Sequence, residues 1–287
     1  MQSPKDAVRT FVRSGEVLLA KQRLSGLRRA GAVCERIANA MEASFRSECT
    51  LEERDWIQRI EAIRDRLLSS AETVTLVDFG ARDGAVELPS SDMEKGVEIP
   101  KALNQVARAS KDRFWAFLLF RLLREFQPVQ CLELGTCVGV SASYHAAALK
   151  LNGSGSIVTL EGSPSLLDYA RSHFDELGLD NVEAVAGRFM DTLPEVLERH
   201  GPFDYAFVDG HHAEQATIDY FNMITPYLKP FALIVFDDIS WSPGMKRAWR
   251  NILTHPKVKI AVDLRTVGVC VLDEASEERR QFHIPIH

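Results

Sequence analysis

The stretch Glu133-Leu134-Gly135-Thr136-Cys137-Val138-Gly139-Val140-Ser141 decides how the rest of the chain reads. An apolar run at 129–134 leads into it, and an Ala-rich segment of helical composition, 141–150, leads out. Two glycines four apart thus stand between a strand and a helix. Gly135 can turn sharply, and a ligand can approach its backbone, because it has no Cβ. The following helix points its unpaired N–H groups at that ligand. Open α/β sheets bind ligands at this end of their strands. The spacing is G-x-x-x-G, not G-x-G-x-x-G. No diphosphate has to be cradled, which weakens the rival reading of an NAD-linked dehydrogenase.

Working outward, short apolar strands are expected at 156–161, 182–186, 205–209 and 232–237. Helices are expected at 165–177, 192–200 and 214–228, with a strongly apolar helix at 114–126 ahead of the first strand. This alternation predicts an α/β fold, a Rossmann-like doubly wound sheet that is mostly parallel. Strands at 258–264 and 267–272 are separated only by Arg265 and Thr266, a gap that requires antiparallel pairing. The sheet should therefore end in a C-terminal antiparallel hairpin.

Residues 1–72 read as an N-terminal helical region, a cap or a dimer interface. Its only expected internal break lies near 47–50, where Thr50 and Glu53 form a capping box opening a helix to about Leu68. Trp56, Ile57, Ile60, Ile63 and Leu67 should make one buried stripe along it. Residues 73–110 form a connecting segment. Val74, Leu76 and Val77 suggest a short extended piece. Gly80, Gly84, Pro89, Ser90, Ser91 and Gly96 then mark an irregular stretch, 80–100, as a candidate lid. Residues 111–287 form the ligand-binding domain.

Composition narrows the function. The chain has 287 residues, 46% hydrophobic and 26% charged, with a net charge of −6. Residues 1–70 hold 13 Lys/Arg against 10 Asp/Glu, so the acidic excess lies in the remainder. Such a balance does not suit a phosphate backbone, and no nucleic-acid partner is expected. No apolar run reaches the roughly 18–20 residues of a membrane span, so no stable membrane anchor is expected. The first twenty residues mix Lys5, Arg9 and Arg13 with Asp6 and Glu16, unlike a signal peptide. Five cysteines at 34, 49, 131, 137 and 270, without metal-type pairing, fit a reduced, cytoplasmic setting.

The second strand ends in Thr159-Leu160-Glu161-Gly162. Glu161 lies 26 residues after Gly135, roughly where a carboxylate accepts hydrogen bonds from ribose hydroxyls. Here the chain resembles the class I S-adenosylmethionine-dependent methyltransferases, in wording closest to the catechol O-methyltransferase-like branch. The segment from Cys131 to Ala142 resembles their first motif. Segments 158–161, 187–194, 207–212 and 235–239 resemble later ones in order, so the likeness covers about 110–275. It also resembles bacterial methyltransferase-like proteins of mostly unassigned substrate, which share blocks like 51–57, 77–81 and 241–249.

The resemblance implies S-adenosylmethionine as cofactor. It places Gly135, Thr136 and Gly139 around the methionine part. Glu133 orders that loop or meets the cofactor's amino group, and Ser141 meets the carboxylate. Glu161 takes the ribose. Gly187, Arg188, Phe189 and Met190 lie where such enzymes hold adenine, and Asp209 borders the cofactor. Asp209, Asp237 and Asp238 end neighbouring strands. Three converging carboxylates repel unless a cation sits among them, and oxygen ligands favour Mg²⁺ or another hard divalent ion. Asp238 departs from the catechol-type pattern, which has Asn there. His212 stands where those enzymes carry a catalytic lysine, and a histidine can take a hydroxyl proton at neutral pH. His211 should point elsewhere. Trp241, Met245 and Trp249 either wall an acceptor pocket or form the packing face of a helix. The implied activity is metal-assisted O-methylation of a small hydroxylated acceptor, by a possible homodimer. The rival beside the dehydrogenase is a non-catalytic methyltransferase-fold module for binding or assembly.

Overall fold

Eight strands form one sheet in the computed structural model, which describes residues 23–79 and 95–286. In chain order they are β3 (Gln130–Leu134), β4 (Ser156–Glu161), β5 (Val182–Ala186), β6 (Phe203–Val208), β7 (Leu228–Phe236), β8 (Val258–Asp263), β9 (Gly268–Asp273) and β10 (Arg280–His283). Across the sheet the order is β10-β8-β9-β7-β6-β3-β4-β5. Strands β7, β6, β3, β4 and β5 run parallel. β9 inserts antiparallel between β7 and β8. The expected hairpin is there, closed by Leu264 N–H donating to Val267 O at 2.9 Å. β10, which pairs parallel with β8, was not foreseen. Its alternating half-buried and exposed residues carry little apolar signal.

Five helices follow or join these strands: α5 (Val140–Asn152), α6 (Pro164–Leu177), α7 (Phe189–His200), α8 (Glu214–Ile224) and α9 (Pro243–Ile252). The chain from β3 through β4 to β5 builds one way, and from β6 to β7 the other. The switch point therefore lies between β3 and β6, where open α/β sheets bind ligands. The expected helix to 228 ends instead at Ile224 in α8, followed by a 3-10 turn at Thr225–Tyr227. Pro226 inside that turn cannot donate to a continuing helix.

The N-terminal helices belong to the same core. α1 (Ala32–Arg46) packs on α4 (Arg113–Phe126) and α2 (Leu51–Leu68) on α5, and Leu27, Ile37, Met41, Ile57 and Ile60 join one apolar cluster with Phe120, Tyr144 and Leu149. The capping box is realised: Glu53 N–H donates to Thr50 Oγ1 at 3.2 Å, and Thr50 N–H to Glu53 Oε2 at 2.9 Å. Glu53 also accepts from Arg124 at 2.9 Å and Arg121 at 3.2 Å, tying α2 to α4. Ile57, Ile60, Ile63 and Leu67 are buried, while Trp56 stays half-buried beneath the Arg59 guanidinium. A second break, missed in the sequence, falls at 29–31, where Gly31 takes φ +117°.

The connecting segment is more regular than expected. β1 (Thr73–Asp78) pairs antiparallel with β2 (Val97–Ala102). Pro100 hid that second strand, but this two-stranded ribbon has free edges where a missing N–H is tolerated. Val77 N–H donates to Ser163 Oγ at 3.1 Å, and Ser165 Oγ–H to Thr75 O at 2.7 Å, so the ribbon is fastened beside the β4–α6 loop. The lid expected over 80–100 lies, for 80–94, outside the described residues. A short helix, α3 (Leu103–Ala109), then leads into α4.

Candidate active site

The first turn is built around a contact that only glycine allows. Gly135 has φ +104°, and a Cβ there would stand 1.9 Å from the carbonyl oxygen of Asp209. Asp209 N–H donates to Leu134 O at 2.9 Å, so the ends of β3 and β6 are laced together. Gly139 has a different role: its Cβ would meet Ala170 and Phe174, so it lets α6 approach the loop. Three non-glycine residues at this edge take positive φ: Cys137 at 49°, His211 at 62° and Asp238 at 51°. They follow β3, β6 and β7. The other three described cases, Ser47, Gln127 and Arg265, close helices or the hairpin. Left-handed backbone costs roughly 1–3 kcal/mol per residue and gathers where a site needs it.

Glu161 is held from two sides. Cys137 N–H donates to its Oε2 at 2.7 Å and Ser163 N–H to its Oε1 at 2.9 Å. Burial pushes its carboxyl up, against the backbone N–H groups that pull it down. Glu133 lies fully inside the protein. Thr159 Oγ1–H donates to its carboxylate at 2.6 Å, and the Thr136 and Thr159 hydroxyls are bonded at 2.6 Å. Of the two roles expected for Glu133, this geometry serves loop ordering. Thr136 likewise turns its side chain inward. His173 Nδ1 is 2.9 Å from Val138 O, pinning the loop from α6. Ser141 is buried at the start of α5.

On the far side, Gly187 (φ +136°) ends β5, and Arg188 pairs with Asp191 at 2.7 Å. Phe189 packs edge-on against Tyr220 and over Gly210, while Met190 is exposed. Phe79, at the end of β1, lies on Gly162 with ring atoms 2.7 Å from where a Cβ would sit. The sequence reasoning missed Phe79. It lay in a block noted only as shared.

Across the switch point the aspartates converge. Asp237 is buried and its N–H donates to Val208 O at 2.9 Å. His212 Nε2 lies 3.7 Å from Asp209 Oδ1 and 3.9 Å from Asp238 Oδ2. His211 turns away, its Nδ1 3.0 Å from Tyr220 Oη, as expected. Trp241 is exposed, with its ring 6.4 Å from that of His212. Met245 and Trp249 are buried, and Trp249 fills the space over Gly268, so both serve packing.

The unexpected member is Lys111. It comes from the loop between α3 and α4, and its ammonium forms an ion pair with Asp237 Oδ2. Burial by itself lowers its pKa, but Asp209, Asp237 and Asp238 together reverse this and raise it. Burial and Asp237 drive the Asp209 carboxyl well above the usual carboxylate range. Burial and Asp237 also raise Asp238. Lys111 directly precedes Asp112, whose carboxylate caps α4 by accepting from Phe114 and Trp115 N–H at 2.9 and 3.1 Å.

Residues 132–239 match the family described as a methyltransferase domain. A catechol O-methyltransferase from Niastella koreensis is 35% identical over 115 residues, 39% of this chain and 50% of that protein. The O-methyltransferase TomG from Streptomyces achromogenes, solved in complex with SAM, is 26% identical, with TM-score 0.50 over 59% of this chain and 86% of that one. Over this stretch the chain is similar to O-methyltransferases of the catechol type. An O-methyltransferase from Bacillus cereus, solved with SAH, shares the fold: 24% identity, TM-score 0.51, 60% of this chain and 88% of that one. The chain spans half the length of that catechol O-methyltransferase.

The resemblance to that branch implies a divalent ion among Asp209, Asp237 and Asp238. The side chains present do not fit one. The Lys111 ammonium already holds Asp237, and a second positive centre on that carboxylate would repel it. Among the described residues, no three His, Cys, Asp or Glu side chains are grouped so as to hold a metal ion. No helix among them is long and apolar enough to cross a membrane.

Proposed function

We propose that the chain is an S-adenosylmethionine-dependent O-methyltransferase acting on a small hydroxylated molecule. The observation that carries this reading is Glu161, a carboxylate clamped by two backbone N–H groups beside the Gly135–Gly139 turn. Both of its oxygens keep lone pairs for ribose hydroxyls. The start of α5 stands next to it, offering unpaired N–H groups to a carboxylate. Gly187 and Phe189 lie beyond β5, on the side where the adenine would rest.

Bound S-adenosylmethionine supplies an electrophilic methyl group. The protein's part is to align an acceptor oxygen with that methyl carbon and to remove the hydroxyl proton. His212 is placed for the second task. Its Nε2 is in reach of Asp209 and Asp238, which orient the ring and stabilise the imidazolium that forms. Trp241 offers an exposed aromatic face beside it, suited to a flat, hydroxylated ring. The net charge of −6 speaks for an acceptor other than nucleic acid.

The test is transfer of the labelled methyl group from S-adenosylmethionine to a panel of catechols and other hydroxylated aromatics. The expected product carries the label on oxygen. Binding of the cofactor without transfer to any member would favour a non-catalytic binding module.

A further inference from the structure

We infer that Lys111 is a built-in cation of this site, standing in place of a divalent metal ion, so that methyl transfer proceeds without one. The inference rests on the O-methyltransferase reading for its meaning, though its main measurement does not.

Lys111 enters from outside the sheet and reaches the edge where β6 and β7 end. Its side chain is 9% exposed and that of Asp237 is 4% exposed. A buried ammonium is sustained only where it is paired. The loop that carries it cannot easily swing away. Asp112 caps α4 directly after it, and α3 ends directly before it at Ala109.

Three carboxylates crowd one place, and a lone cluster of that kind requires compensation. Lys111 supplies one positive charge. Its ammonium occupies the Asp237 carboxylate that a divalent ion would need. Paired with Asp237 inside the protein, the Lys111 ammonium serves as a fixed charge and leaves proton removal to His212. An acceptor oxygen beside His212 lies in the field of that ammonium, which favours the negative charge developing on it.

The test uses the full chain, freed of metal by a chelator, with Mn²⁺ as the probe. Calorimetry and electron paramagnetic resonance are read with and without S-adenosylmethionine. Wild type should show no saturable Mn²⁺ binding up to about 1 mM, and chelation should leave S-adenosylmethionine affinity within twofold. Lys111→Ala should uncover the carboxylates and bind one Mn²⁺ at least tenfold more tightly than wild type. Lys111→Met is the second variant, with circular dichroism reporting whether each is folded. One Mn²⁺ bound per wild-type chain below millimolar concentration would overturn the proposal. A folded Lys111→Ala or Lys111→Met that still binds none would overturn it as well. Failure of S-adenosylmethionine to bind would sink the functional reading instead, and is read separately.

Discussion

Gly135 lies directly beneath the carbonyl oxygen of Asp209, the first residue beyond β6, with 1.9 Å between that oxygen and the position of a Cβ. The ends of β3 and β6 meet there at the switch point of the sheet. The turn toward the ligand and the placement of Asp209 are therefore one structural event. Gly135→Ala adds both a clash with backbone and a penalty for φ +104°. It should cost at least about 2 kcal/mol, seen as a lowered thermal midpoint, and should abolish cofactor binding. A midpoint equal to wild type would show that the two strand ends are not locked.

Glu161→Gln keeps size and one acceptor oxygen but turns an amide donor toward a backbone N–H. Cofactor affinity should fall about 10–100-fold, or roughly 1.4–2.8 kcal/mol. Calorimetry of S-adenosylmethionine binding checks this, and an unchanged Kd would remove Glu161 from the site.

His212→Ala should spare cofactor binding and lower turnover by about 10²–10⁴-fold. His211→Ala removes only the contact to Tyr220 and should leave turnover within severalfold. Equal losses in both variants would contradict the division of labour drawn between them.

Glu53→Ala should destabilise the whole protein, because Glu53 caps α2 and also receives Arg121 and Arg124 from α4. The expected cost is about 3 kcal/mol, against about 1 for Thr50→Ala. Urea unfolding should show one transition for the helices and the sheet. A separate early transition of the N-terminal helices would contradict the shared core.

His173 gives stability an acid-side dependence. Burial depresses its pKa, and the bond to Val138 O opposes this only in part. The folded state thus prefers the neutral ring, while the unfolded chain takes up the proton near 6.5. Stability from this group is complete above that value and falls as pH drops toward the lower folded pKa. His173→Gln should flatten the stability curve below pH 6.5. A curve identical to wild type there would refute the assignment.

Much of this fold was written in local signals. The glycine pair, the strand periodicity and the two-residue gap at Arg265–Thr266 each act over a few residues, and each led to the observed element. The ends of helices near Gly31 and Ile224 were less visible, since amphipathic composition continued across both. β2 and β10 are edge strands, one holding Pro100 and the other half-exposed, so neither carries the apolar run that marks a buried strand. Gly135, Glu161 and the aspartates stand out in the sequence because each sits at or next to the end of an expected strand, and Gly139 and His212 follow within a few residues. Lys111 does not stand out, because its partners lie 98 to 127 positions away in the chain. A charged residue before a helix cap has no local mark that distinguishes it from a solvated one.

The most direct test of the central claim is calorimetric titration of S-adenosylmethionine into the full chain. Saturable one-site binding in the micromolar range, roughly −8 kcal/mol, is expected, lost in Gly135→Ala and weakened in Glu161→Gln. A folded protein that takes up no S-adenosylmethionine would contradict that claim.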